Sequence, residues 1–277
     1  MQGFFIYTFL KKLIVVDFCV TVSYIYSERL IYKENLMIER SYSRANAAPI
    51  VNLGLRQYMV KVYNFMSAGL ALTALTAYLV ANTPLLKLFF SMSPQGQISL
   101  SGFGWLMFIA PLIMIFAFGW VITSGTASQA KTLFWAYAAT MGISLTPIVL
   151  AYTGASVVRV FLITAGTFGA MSIYGYTTKK DLTGMGSFLI MGLLGIIIAM
   201  IVNIFLQSSG LDYALSLLGL AIFIGLTAFD TQKIRRMYYD ADDDEIAIKK
   251  AVAGALSLYM DFINMFIYLM RFMGDRR

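Results

Sequence analysis

The sequence predicts an all-α integral membrane protein, a bundle of seven transmembrane helices, on three observations. Hydrophobic residues make up 59% of the chain and charged residues 13%, with a mean hydropathy of +0.75, where a soluble domain has roughly 45 to 50% and 25%. Apolar runs long enough to cross about 30 Å of hydrocarbon at about 1.5 Å per residue recur along the chain; a membrane barrel would show short alternating segments instead. The lysines and arginines between these runs gather in alternate loops, the pattern of a chain that crosses the bilayer repeatedly with one basic side.

Taken in order, residues 1–38 do not match the rest. Their apolar stretch at 13–26 contains Asp17, is short for a span and lacks a small-residue cleavage site. An interfacial segment, a disordered tail and an upstream extension preceding a start at Met37 are the three readings, and the extension is the one adopted. Residues 39–57 are small and polar, with Arg40, Arg44 and Arg56, and read as a cytoplasmic lead-in to a membrane domain at 58–277.

The first span is placed at 62–81, stopped by Asn82-Thr83-Pro84. A long loop at 85–102 carries only Lys87. The second span, 105–123, has Trp105 and Trp120 as interfacial anchors and Pro111 as a kink; the third, 133–152, has a kink at Thr146-Pro147. Small residues Ala165, Gly166, Gly169 and Ala170 in the fourth, 160–176, predict close helix packing. In the fifth, 185–206, Gly192, Gly195, Ala199 and Asn203 fall on one stripe, so Asn203 is expected to point at protein. The sixth and seventh lie at 213–229 and 251–270. Loop charge makes the amino end cytoplasmic, with Lys131, Lys179, Lys180 and the basic residues from Lys233 to Lys250 on the same side. The basic carboxyl end disagrees. Either seven spans leave it outside or the last segment is re-entrant; seven full spans are preferred because no proline breaks 251–270.

Two acids lie in or beside the last spans, Asp230 and Asp261. A carboxylate in an apolar helix is expensive in hydrocarbon, so it faces the bundle interior and by default marks a functional site. On the seventh span Ser257, Asp261, Asn264 and Tyr268 form one narrow polar stripe, and on the sixth Ser216, Gly219, Phe223, Thr227 and Asp230 step in the same way, which predicts a shared buried seam. The plainer alternatives are that Asp230, three residues before Lys233, is a helix-edge residue, and that Asn203 makes only a helix-packing hydrogen bond. The chain has no histidine and a single cysteine, Cys19. The usual catalytic base, commonest metal ligand and usual neutral-pH sensor are therefore missing, so a response to pH near neutrality falls to carboxylates.

Three segments carry a resemblance. Tyr-Thr-Thr-Lys-Lys-Asp-Leu-Thr at 176–183, Ala-Phe-Asp-Thr-Gln-Lys-Ile at 228–234 and Leu-Tyr-Met-Asp-Phe-Ile-Asn at 258–264 are similar to signature segments of the Bax inhibitor-1, or transmembrane Bax-inhibitor-motif, family in its bacterial branch. The resemblance runs from about Met37 to the carboxyl end. It implies a seven-helix fold with the last helix central, wrapped by the others, and a pH-sensitive calcium leak in the inner membrane controlled by two aspartates, which match Asp230 and Asp261. Some members hold a basic partner in the second span; here nothing charged lies between Lys87 and Lys131. Bacterial relatives are also linked to restraint of a membrane-bound protease.

The leading functional expectation is a proton-gated cation leak. Asp230 and Asp261 are its gating residues and a weak metal-ligand pair, Asn203, Thr227, Ser257, Asn264 and Tyr268 line its seam, and calcium is the transported ion. Calcium takes several hard oxygen ligands, and so few formal charges suit passage better than storage. The second expectation is a membrane-embedded binding module that modulates a protease complex through the acidic run Asp240, Asp242, Asp243, Asp244 and Glu245. An intramembrane aspartyl protease is set aside, since the nearest match to its Gly-x-Gly-Asp pattern, Gly184-Met-Gly186-Ser187, lacks the acid. The protein is expected not to be an enzyme. No cofactor motif is present, and no basic cluster fits nucleic acid; the expected partners are the lipid bilayer, calcium and that protease complex.

Overall fold

The computed structural model describes residues 53–92 and 98–277, with side chains omitted at 92 and 98; the readings made for residues 1–38 and for most of 39–57 lie outside the described residues. Seven helices are long and apolar enough to cross a membrane: α1 (Leu53–Asn82), α2 (Gly102–Ser124), α3 (Ala127–Ala151), α4 (Gly154–Thr177), α5 (Thr183–Leu206), α6 (Ser209–Met237) and α7 (Asp244–Met273). Every one is longer than its expected span. Hydropathy finds the hydrocarbon core, whereas a helix continues into the interface until its end groups are capped. Thus α1 begins inside the lead-in at Leu53, and α6 runs two turns past Phe229.

The caps are legible residue by residue. Ser101, Thr126, Thr153, Ser208 and Asp243 each accept a hydrogen bond from the backbone N–H three residues on, and Gln129 returns the bond at Thr126. Pro111 and Pro147 sit inside α2 and α3, both of which continue through them. The expected plain loop at 85–102 contains a single helical turn, Leu86–Phe89, and an antiparallel hairpin of β1 (Phe90–Met92) and β2 (Ile98–Leu100), with Phe90 opposite Leu100.

Around α7 the bundle is built from α1, α2, α3, α4 and α6, while α5 packs on the outer side of α6. Every residue from Ala251 to Met270 is buried. Two glycines bring the backbones of spanning helices close together. A Cβ on Gly142 of α3 would lie 2.4 Å from the Thr73 carbonyl oxygen of α1, and one on Gly175 of α4 would lie 2.2 Å from that of Ala228 of α6. These are the small-residue contacts that lipid solvent rewards. The expected ones in α4 are not: a Cβ on Gly166 or Gly169 meets open space. Small size permits a close approach without requiring one.

The turns sort into two ends. At one, Lys249 Nζ donates to the Gly125 carbonyl, Glu245 accepts from the Ala127 N–H, and Gln232 bridges Lys180 and Leu182. At the other, the last residues run along the α3–α4 turn. Thr153 N–H donates to the Asp275 carbonyl, Arg277 N–H to that of Ala151, and Arg159 pairs with Asp275 at 2.8 Å. So α7 is one uninterrupted helix and the carboxyl end lies opposite the basic turns.

Candidate functional site

The α6–α7 contact holds both acids. A Cβ on Gly219 would meet the Tyr268 ring at 2.5 Å, and one on Gly254 would meet Ile234 at 3.0 Å, so the helices run antiparallel in a fixed register. That register sets Asp261 level with Thr227 and Asp230 level with Ser257. The acids are therefore about one helical turn, or about 5 Å, apart along the axis.

Asp230 is 1% exposed and lies within α6, not at its end. The helix-edge reading fails because Thr231, Gln232 and Ile234 beyond it are buried too. Asp261 is fully buried in the middle of α7, and among the described residues neither of its carboxylate oxygens has a hydrogen-bond partner. The charged groups acting on it are Asp230 and Lys233. One turn on, Asn264 is fully buried, and among the described residues neither side-chain amide atom has a hydrogen-bond partner. Buried polar groups are ordinarily bonded, because losing water without replacement costs about 1–3 kcal/mol each. Such atoms on the central helix make the α6–α7 contact the candidate site.

Thr227 and Ser257 are buried beside the acids, but their hydroxyls donate back to their own helices, to Phe223 O at 2.8 Å and Ala253 O at 3.4 Å. Tyr268 closes the end of the stripe. Its ring lies on Gly219, tilts against Phe223 with centroids 6.0 Å apart, and has the Arg271 guanidinium 5.4 Å from its centre. Asn203 does not join the seam. It is buried, yet its Oδ1 accepts from the Ser208 N–H at 3.0 Å, closing the α5–α6 turn where Gln207 takes the left-handed conformation at φ 51°. The stripe on α5 was read correctly as facing protein at Asn203, but α5 itself stands outside the α6–α7 contact.

Three residues were missed. Tyr63 of α1, Ser172 of α4 and Thr231 of α6 form a hydroxyl chain, Tyr63 to Ser172 to Thr231, with Thr231 donating on to the Thr227 carbonyl at 2.8 Å. It runs from the rim of the bundle to the residue beside Asp230. Only Thr231, adjacent to an acid in an apolar helix, could have been found in sequence; the other two need the packing of α1, α4 and α6. Outside the membrane-spanning part, Asp181 accepts from the Thr183 hydroxyl and N–H and from Arg236, and these bonds hold its carboxyl down to about 2. Four of the five acids in the acidic run make contacts within the fold. Asp240 accepts from Tyr238, Asp242 pairs with Lys250 at 2.8 Å, Asp243 caps α7, and Glu245 holds the α2–α3 turn.

Among the described residues no group of three or more histidine, cysteine, aspartate or glutamate side chains could hold a metal ion. Two carboxylates alone make a weak cation site.

Comparison with known proteins agrees with this architecture. The family model described as inhibitor of apoptosis-promoting Bax1 matches residues 55–277. The chain is 48% identical over 225 residues to the uncharacterized protein RP147 of Rickettsia prowazekii, covering 81% of this chain and 92% of that one. It is 40% identical over 239 residues to the inner membrane protein YbhL of Escherichia coli, covering 85% and 99%. A match spanning all seven helices, together with relatives at this identity, places the chain in the Bax inhibitor-1 family of multi-pass membrane proteins.

Proposed function

We propose that this protein is a pH-sensitive cation leak of the bacterial inner membrane, with calcium as its cargo and the Asp230–Asp261 pair as its gate. The observation that carries the reading is Asp261: a fully buried carboxylate on the central helix, without hydrogen-bond partners for its oxygens and within the field of a second buried acid. In a medium of low dielectric two interacting carboxylates cannot both carry charge cheaply, so they hold one proton between them and titrate as a pair. That proton removes the like-charge repulsion between α6 and α7. Losing it as pH rises leaves two like charges across the seam, which loosens the helix contact and offers oxygen ligands to a cation; complete protonation in acid removes the ligands' charge. A coupling of one pKa unit corresponds to about 1.4 kcal/mol, enough to bias a helix pair between two states.

The name of YbhL supports an inner-membrane location, and loop charge supports basic turns on the cytoplasmic side. In intact cells a cysteine placed at Lys180, with Cys19 replaced, is expected to resist impermeant labelling; efficient labelling from outside would reverse the orientation. The reading assigns no covalent chemistry to the protein. Docking on a protease through the acidic run is the weaker reading, because four of its five side chains are engaged within the fold. The deciding experiment is calcium flux into liposomes containing the purified protein, measured across pH. A pH-dependent flux is expected, and no flux at any pH would overturn the proposal.

A further inference from the structure

A lateral groove of about 840 Å³ lies between α1 and α4, open on the membrane side. Phe262 of α7 forms its floor, with Phe161 and Phe168 of α4 packed against it at centroid separations of 5.3 and 5.6 Å. Gly169 and Ala165 hollow out the α4 wall, and a Cβ on Gly169 would meet nothing within 4 Å. Apart from Ser67 on α1, the polar side chains gather at one end. There Tyr63 and Ser172 share a hydrogen bond and Tyr176 lines the wall, with the Arg235 guanidinium 5.8 Å from its ring and bonded to its carbonyl. Arg56 lines the same groove from the first turn of α1, exposed, and among the described residues no acidic side chain lines it.

We infer that this groove is a binding site for one anionic phospholipid, its acyl chain lying over Phe262 and its phosphate at Arg56. Three features select that occupant. The volume falls within the roughly 300–1,000 Å³ of small-ligand sites, whereas a spanning helix about 10 Å wide and 30 Å long would need on the order of 2,000 Å³. Apart from the Ser67 hydroxyl, the walls are apolar over the length that would lie in hydrocarbon. The single polar end carries arginine, whose planar guanidinium suits phosphate oxygens, and it sits at the end of the bundle where the basic turns lie, the position at which basic pockets between membrane helices take anionic headgroups. The inference stands apart from the proposed leak, although a bound chain would rest on the residue next to Asp261.

The test uses the full chain in mild detergent, offered equal amounts of phosphatidylglycerol and phosphatidylethanolamine with identical chains, and read by native mass spectrometry. The protein is expected to retain phosphatidylglycerol in preference. Arg56→Gln should lower that retention about fivefold, the effect of one arginine on an anionic headgroup, and leave phosphatidylethanolamine unchanged. Gly169→Leu should fill the groove and lower retention of both lipids, while Gly195→Leu, on the lipid-facing side of α5 where a Cβ also meets open space, should lower neither. Equal retention of the two lipids by the unaltered protein would overturn the inference, as would unchanged retention in Arg56→Gln or an equal loss in Gly195→Leu. A polypeptide carried through purification in place of lipid would overturn it as well. Arg56 is exposed, so its result holds even if Gly169→Leu fails to fold.

Discussion

The helices α5 and α7 invert the usual link between hydrophobicity and burial. The most apolar of the seven spans is α5, yet only 28% of its most apolar stretch is buried in protein; α7 is among the less apolar, and 94% of the corresponding stretch is buried. In water the more hydrophobic helix would be the core. In a bilayer, lipid tails solvate leucine as well as protein does, so apolar side chains gain nothing by turning inward, while a carboxylate or amide gains a great deal. The centre of the bundle is therefore where Asp261, Asn264 and Ser257 are found, and the rim is where Ile198, Phe205 and Met191 face lipid. Packing at the centre is tight because helices with polar seams must meet closely. At the rim it is forgiving.

The sharpest way to break this contrast is to add volume at both places. Gly175→Leu should drive a side chain into the Ala228 backbone; overpacking ordinarily costs about 1–3 kcal/mol, and a clash with backbone that cannot yield exceeds that range. Loss of monodisperse protein on size-exclusion chromatography is the expected outcome. Gly195→Leu on α5 should stay within about 0.5 kcal/mol of the unaltered protein. Equal behaviour of the two would mean that centre and rim are packed alike.

A functional contrast comes next. Asp230→Asn and Asp261→Asn should each fold, since an amide costs less to bury than a charge, and each should abolish or strongly shift the pH dependence of calcium flux. If both variants kept the unaltered pH profile in liposomes, the two acids would be structural and the central seam would not be the gate.

Smaller still is Asn203→Ala. It removes a buried acceptor from the Ser208 N–H, costing about 1–3 kcal/mol in thermal stability. Because the bond closes a turn of α5 and touches neither acid, the pH dependence of flux should remain in place. A changed profile would draw α5 into the gate.

The smallest effect belongs to a surface group outside the bilayer. The Asp181 carboxyl lies below the ordinary carboxylate range, so its contribution to stability is complete above about pH 4 and is lost as pH falls through about 2. Asp181→Asn should lower the melting temperature slightly at pH 5, with the difference shrinking to nothing below pH 2. A difference that persisted in stronger acid would mean that the bonds to Thr183 and Arg236 do not depend on its charge.

The sequence by itself determined the solvent and the number of crossings. Composition and apolar runs are sums over many residues, so the seven spans were legible even though most boundaries fell short of their caps. The two acids were legible for the same reason that they are costly: a charge in an apolar run stands out without any neighbour being known. The motif resemblance supplied the central position of the last helix, which composition alone would have assigned to α5. What only the tertiary structure decided is which polar residues meet. Asn203 and Asn264 are both buried asparagines on favourable stripes, but only Asn264 belongs to the α6–α7 seam, because α7 packs against α6 at the centre while α5 stands on the outer side of α6. Gly169 and Gly175 are likewise both small residues on α4, and only the path of α6 against that helix makes one a contact and leaves the other the wall of an open groove. Periodicity assigns a residue to a face of its own helix; the partner of that face is chosen by long-range packing, which no local spacing encodes.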